Sequence, residues 1–276
     1  MKQRVVAIIQ ARMGSSRLPG KVMKDIAGQP MLARVFTRSS RSTRVEETLV
    51  ATTSEAADDP VEEYCDFSGI PCSRGSQFDV LDRYYQAAVQ AKADVVVRIT
   101  ADCPVIDPTL IDDVVNVLIG KEVQGTEFDF AANRLPLPWR RTYPIGLDVE
   151  VCTFRALKEA WTNGKAPQHR EHAMPYFYEG VELVNVSRTL ETGTSPRGFK
   201  VALLHNTTDF SEYRWTVDTA EDLEFMRQIY SRFNGQDDFS WKDVLDLVHD
   251  EPGLMEINAG VKHKTLKDID HRALKS

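Results

Sequence analysis

Apolar positions along the first half of the chain fall into two alternating rhythms. Residues 5–9 (VVAII) form an uninterrupted, β-branched run, the pattern of a strand buried on both faces of a largely parallel sheet. Residues 94–100 (DVVVRIT) repeat it, and residues 47–52 and 70–72 predict two shorter strands. Between these runs apolar residues return at helical spacing. One helix is predicted at 31–39 (Met31, Leu32, Val35 and Phe36, after Pro30), and a second at 59–67, opened by Asp59-Pro60. A third is predicted at 79–92 (Val80, Leu81, Tyr84, Ala87 and Ala88 inward) and a fourth at 108–118. Regular alternation of strand and helix predicts an α/β fold, a mostly parallel central sheet with helices on both faces.

From Phe128 the rhythm changes. Residues 133–146 hold three prolines and three arginines without strand or helix period, so they read as a long loop. A strand is predicted at 147–151, with Asp148 and Glu150 on one face. Helices follow at 153–161 and 170–179, the latter interrupted at Pro175, then strands at 181–186 and 214–217. A helix at 220–233 has Thr219 available as N-cap, and residues 240–276 hold one more helix and a polar, Lys-rich end.

Composition narrows the classes. A chain of 276 residues can bury a full core. Lys and Arg number 34 against 41 Asp and Glu, a net charge of −7, which argues against a nucleic-acid partner. No apolar run approaches the ~20 residues of a membrane span, and no signal-peptide pattern opens the sequence. Four cysteines without CxxC spacing point to reduced thiols and a cytoplasmic protein.

Against that acidic background, the loop after the first strand concentrates positive charge. Gln10 and Ala11 lead into Arg12, Arg17 and Lys21, interleaved with Gly14, Gly20, Ser15 and Ser16. A loop at the carboxyl end of a sheet strand is where open α/β folds take ligands. Cations beside glycines suit a polyphosphate, although neither a P-loop nor a GxGxxG fingerprint is present. Asp102 and Asp218 each follow a predicted strand, as carboxylates that hold Mg²⁺ against a phosphate chain would; ordinary turn and capping chemistry explains either one alone. Arg74, Ser76 and Arg83 offer donors for a base or ribose, and Arg83 would equally line a solvated helix face. Asp148 and Glu150 suit a hydroxyl or a metal, or equally an exposed edge-strand face; Arg134, Arg140 and Arg141 suit an anionic acceptor or a product phosphate, with a solvated loop as the default reading. His169 and His172 lack a third ligand, so a helix-entry or substrate contact is the better reading than zinc. Cys103, with no His close in sequence, reads as packing.

These residues carry a resemblance. Residues 10–21 (QARMGSSRLPGK) and 28–32 (GQPML) resemble the opening motif of the cytidylyltransferases that make CMP-sugar acids, and most closely the spore coat polysaccharide biosynthesis protein F branch. The similarity recurs at 74–76, 80–85, 98–104, 146–150, 170–172 and 214–219, so it covers most of residues 4–232. It implies a nucleotide-diphospho-sugar transferase (GT-A, Rossmann-like) fold that binds CTP and Mg²⁺. Arg12, Arg17 and Lys21 would hold the triphosphate, with Gln10, Ala11, Gly14 and Ser15 in the same loop. Asp102 and Asp218 would hold the metal, although Ala101 stands where the family has glycine. Arg74, Ser76 and Arg83 map onto base recognition. Arg12, Lys21 and Asp148 are the expected catalytic groups, and Arg141, Tyr143, Asp148, Glu150 and His172 the expected contacts of an anionic acceptor. Residues 1–235 would form the nucleotidyltransferase domain, with 128–190 as acceptor and dimerisation insert and 236–276 as a helical extension. A homodimer and a role in surface-glycan biosynthesis follow from the resemblance alone. A glycosyltransferase on the same fold is the second reading, weakened by the lack of Asp-x-Asp after residues 95–100; a non-catalytic nucleotide-binding protein is the third.

Overall fold

The computed structural model describes residues 3–120 and 127–261. The expected Lys-rich end, residues 262–276, lies outside the described residues. Val5–Gln10 forms β1, and its uninterrupted apolar run is buried at all but the last position. A two-residue ladder, β2 (Asp25–Ile26) with β3 (Gln29–Pro30), leads into α1 (Met31–Ser40). Then come β4 (Glu47–Thr53), α2 (Asp59–Ser68), β5 (Cys72–Gly75), α3 (Val80–Gln90), β6 (Val95–Thr100) and α4 (Pro108–Leu118). The third strand begins two residues later than expected, because Ile70 N is used to close α2 by donating to Cys65 O (2.8 Å).

The second half adds β7 (Phe130–Ala132), β8 (Glu150–Thr153), α5 (Phe154–Asn163), α6 (Pro167–His172) and α7 (Pro175–Tyr178). It continues through β9 (Val184–Asn185), β10 (Leu190–Thr194), β11 (Lys200–Leu204), α8 (Ala220–Arg232) and α9 (Trp241–Asp250). The main sheet is nine-stranded, in the order β5-β4-β1-β6-β8-β7-β11-β10-β9. Its first four strands are parallel, whereas β8 runs antiparallel to both β6 and β7. The fold is therefore a mixed, mostly parallel sheet, and the stretch after Phe128 extends it. Alternation along β1 divides the core: Val5, Ala7 and Ile9 face one cluster with Leu32, Val114, Phe225 and Val244, while Val6 and Ile8 face another with Leu81, Tyr84 and Leu157. Through Trp241, Val244 and Leu254, the described part of the C-terminal extension belongs to the first of these.

Three later predicted strands are corrected. The one expected at 181–186 is reduced to Val184–Asn185. The strand expected at 147–151 starts only at Glu150, because the Asn133 side chain takes the preceding backbone groups: Nδ2 donates to Leu147 O (2.7 Å) and Oδ1 accepts from Val149 N (2.8 Å). Residues 214–217 make one bridge, Arg214 to Ile145, and then turn. That turn lies hard against Gly146, whose φ is +106° and where a Cβ would come within 2.5 Å of Trp215 C.

Candidate active site

β1 and β6 end at the same level, and β4 runs on beside them to Thr53. Gln10 closes β1 opposite Ala51 of β4 and Thr100 of β6, and Ala101 N then donates to Gln10 O (3.0 Å). From β1 the chain moves to β4 on one side, whereas β6 on the other side is entered from β5, so the topology switches between β1 and β6, where open α/β sheets take ligands at the carboxyl ends.

The cationic loop wraps the mouth of this crevice. Met13 O accepts from Ser15 N and Gly20 N (both 2.9 Å), while Met13 N donates to Asp58 Oδ1 (2.5 Å). Ser15 Oγ accepts from Leu18 N (3.3 Å). Gly20, at φ 67°, turns the chain into a single 3-10 turn, Lys21–Met23, and so aims Lys21 inward. A Cβ on Gly14 would meet nothing within 4 Å, which leaves the loop's outer face open.

Lys21 is the hub. Its Nζ donates to Asp102 Oδ2 (2.8 Å), Asp218 Oδ1 (3.0 Å) and Val217 O (2.7 Å), with the side chain 11% exposed. Asp218 Oδ2 meets the guanidiniums of Arg17 (2.8 Å) and Arg214 (2.9 Å). The two aspartate turns are stitched together, since Asp102 O accepts from Val217 N (2.9 Å) and Thr216 Oγ1 (3.2 Å). Burial alone would lower the Lys21 pKa, but the Asp102 and Asp218 carboxylates outweigh it and raise it. Burial pushes Asp218 up, yet Lys21, Arg214 and Arg17 together hold its carboxyl well below the usual range.

Capping chemistry does not explain Asp218. The α8 capping box is made by Thr219 and Asp222, which leaves the Asp218 side chain to Lys21 and the two arginines. Asp102 and Asp218 converge on one cation, and two hard carboxylate oxygens so placed suit Mg²⁺, which takes its remaining ligands from phosphates and water. Among the described residues no group of three or more His, Cys, Asp or Glu is placed to hold a metal.

The nucleotide-side residues divide. Arg83 is 1% exposed; its Nη1 donates to Ser76 O (2.5 Å), while Nε and Nη2 have no protein partner. Burial lowers its pKa, and the nearby charge of Arg12 lowers it further. Ser76 Oγ accepts from Asp79 N (3.0 Å) at the start of α3. Arg74 is placed differently from the expectation: its guanidinium is committed to Thr53 O, Glu55 O, Asp59 and Glu62 along α2.

The acceptor-side residues divide as well. Asp148 is held by Arg141 through both oxygens (2.5 and 3.0 Å), with Arg134 at 3.7 Å. Its charge reaches Cys103, whose thiol burial and Asp102 push well up. Asp148 precedes β8, whereas Glu150 is its first residue, 3% exposed and paired with Arg98. His172 has a buried Nε2 without a partner, and burial lowers its pKa. Tyr143 is a core residue, 6% exposed and edge-on to Trp241 at 5.9 Å. His169 pairs instead with Glu179 (2.8 Å).

Three supporting groups escaped sequence reasoning. Arg214 and Asp222 sit inside motifs that read as strand and capping box, and Asp58 inside a helix entry. The signal available was the acid-rich spacing of TVDTAED, where three carboxylates exceed what one cap needs.

Comparison with known proteins places the chain. A family model described as cytidylyltransferase matches residues 6–237. An uncharacterized protein from Methanocaldococcus jannaschii is 31% identical over 273 residues, 97% of this chain and 99% of the relative. The spore coat polysaccharide biosynthesis protein SpsF of Bacillus subtilis is 28% identical over 90% of this chain and 95% of its own length. A solved cytidylyltransferase from Leptospira borgpetersenii superposes with a TM-score of 0.80 at 32% identity, covering 95% of this chain and all of that one.

Proposed function

Because the chain belongs to the cytidylyltransferase family, we propose that it transfers CMP from CTP to an anionic sugar-acid-like acceptor, releasing pyrophosphate, in surface-glycan biosynthesis. The observation that carries this reading is the meeting of Lys21, Asp102, Asp218 and Arg17 at the strand ends. In the reaction an acceptor oxygen attacks the α-phosphorus in line, and negative charge grows on the non-bridging and leaving oxygens. Positioning and fixed positive charge are then the main catalytic resources. Lys21 and Arg12 supply charge near the α-phosphate, and Arg17 binds the outer phosphates. On CTP binding Lys21 exchanges its carboxylate partners for phosphate oxygens. Asp102 and Asp218 are the residues that would hold Mg²⁺, which offsets charge on the phosphate oxygens when bound.

Arg83 supplies the two unpartnered nitrogens beside the Ser76 turn that suit a base or ribose oxygen. Asp148 orients or deprotonates the acceptor hydroxyl, and Arg141 and Arg134 attract the acceptor's anion. His172 offers a neutral ring nitrogen to the same acceptor. The name of the Bacillus subtilis relative supports polysaccharide biosynthesis as the setting. The test is a pyrophosphate-release screen of four nucleoside triphosphates against anionic acceptors, with and without Mg²⁺. The reading expects release with CTP, an acceptor and Mg²⁺ together. Equal release from all four triphosphates would overturn the base specificity, and release with EDTA present would remove the metal.

A further inference from the structure

Asn258 lies beyond the residues matched by the family model, which end at 237, and is 3% exposed. Its Nδ2 donates to two acceptors at once, Asp222 Oδ1 (3.0 Å) and Arg214 O (3.1 Å). Asp222 is fully buried, and a buried carboxylate is tolerated only when its lone pairs are filled. Asp222 Oδ1 accepts from Arg214 Nε (3.0 Å) and Asn258. Asp222 Oδ2 accepts from Arg214 Nη2 (2.9 Å), Asp218 N (2.9 Å) and Thr219 N (3.1 Å). Thus Asp222 fixes the backbone of Asp218 and also the guanidinium whose Nη2 reaches the Asp218 carboxylate at 2.9 Å. Asn258 clamps Asp222 to the main chain of Arg214, and so closes the frame around Asp218.

We propose that Asn258 is a positioning residue for Asp218, by which the C-terminal segment takes part in presenting the metal-holding carboxylate to CTP. This rests on the functional reading above and deepens it. Partners one step removed from a metal ligand orient it, and their loss typically weakens metal affinity by about 10- to 100-fold. The contribution is selective: without metal the triphosphate would be held by Arg12, Arg17 and Lys21, whereas the Asn258 side chain donates to Arg214 O and Asp222 Oδ1. A helper that only stabilised the fold would not separate the two conditions.

The experiment is calorimetric titration of the full chain with CTP, in EDTA and in Mg²⁺, for wild type, Asn258→Ala and Leu254→Ala. Leu254 belongs to the same C-terminal segment, is 5% exposed in the core and serves as the control for destabilisation alone. In Asn258→Ala the strengthening of CTP binding by Mg²⁺ falls about 10-fold, while affinity in EDTA stays within about twofold of wild type. Leu254→Ala keeps the full Mg²⁺ effect despite a lower melting temperature. If Asn258→Ala does not fold, Asn258→Ser, which keeps a single donor on a shorter arm, is read by the same criteria. The assignment is overturned if the Asn258 variant keeps the full Mg²⁺ effect, if its affinity in EDTA falls as far, or if Leu254→Ala loses as much. A wild type that binds CTP without any gain from Mg²⁺ overturns it too and leaves the CTP reading standing. A wild type that binds no CTP overturns both.

Discussion

Replacing Lys21 by Ala removes one ammonium from a site where it satisfies two carboxylates and a carbonyl at 2.7–3.0 Å. Unit charges 4 Å apart attract by about 4 kcal/mol at an effective dielectric constant of about 20, and the contacts here are shorter. Desolvation of the ammonium offsets part of that, so the net loss is smaller than the Coulomb sum. Breaking a fully buried pair costs about 3–5 kcal/mol. Here Asp102 and Asp218 are 26% and 19% exposed, and Asp218 keeps Arg17 and Arg214. A stability loss of about 1–2 kcal/mol is therefore expected. Catalysis loses more: removal of one fixed charge from the reacting phosphate typically costs about 2.7–4 kcal/mol, or about 100- to 1000-fold in kcat. The assay is pyrophosphate release at saturating CTP and acceptor, run beside a melting curve of the same preparation. If Asp102 and Asp218 hold Mg²⁺ as proposed, Lys21 competes with it, and Mg²⁺ alone should raise the melting temperature of the variant more than that of wild type. A folded variant with wild-type kcat would refute the role given to Lys21.

Other perturbations separate the frame from the chemistry. Gly146→Ala places a Cβ 2.5 Å from Trp215 C at a φ of +106°; a loss of about 2–4 kcal/mol is expected by chemical denaturation, since both overpacking and left-handed strain add. Glu150→Ala leaves the partly buried Arg98 without its carboxylate and should cost about 3 kcal/mol, whereas a surface carboxylate would cost almost nothing; a loss no larger than that of exposed controls would contradict the buried pairing. Asp218 has a folded pKa below the ordinary aspartate value of 3.8, so its ion pairs contribute full stability above that value and lose it as pH falls through the lower folded pKa. Asp218→Asn should accordingly flatten the acid limb of the stability curve between pH 4 and lower values, and an unchanged limb would contradict the pairing with Lys21.

The first half of the fold was legible because burial on both faces writes itself as unbroken apolar runs, as in β1 and β6. The later strands were harder for identifiable reasons. Residues of β10 are mostly polar and half-buried, and β7 is only three residues long. The shortened β8 depends on one side chain, Asn133, that substitutes for ladder hydrogen bonds. Period alone cannot reveal such a substitution. At the site, Arg12, Arg17, Lys21, Asp102 and Asp218 stood out because charge at strand ends conflicts with any core role. Tyr143 and Arg74 did not resolve, since motif position says nothing about which neighbour a side chain meets. Asp222 and Asn258 were hidden for the opposite reason, each looking like ordinary helix or tail chemistry until the tertiary contacts joined them.

The central claim is CMP transfer, and the fate of the α-phosphorus tests it most directly. CTP radiolabelled at that position is incubated with the wild-type chain, Mg²⁺ and the anionic acceptor selected by the screen. The account predicts label in a product that phosphatase does not release, formed in equal amount with unlabelled pyrophosphate. Label remaining in CTP with every acceptor, or leaving only as CDP or inorganic phosphate, would contradict it.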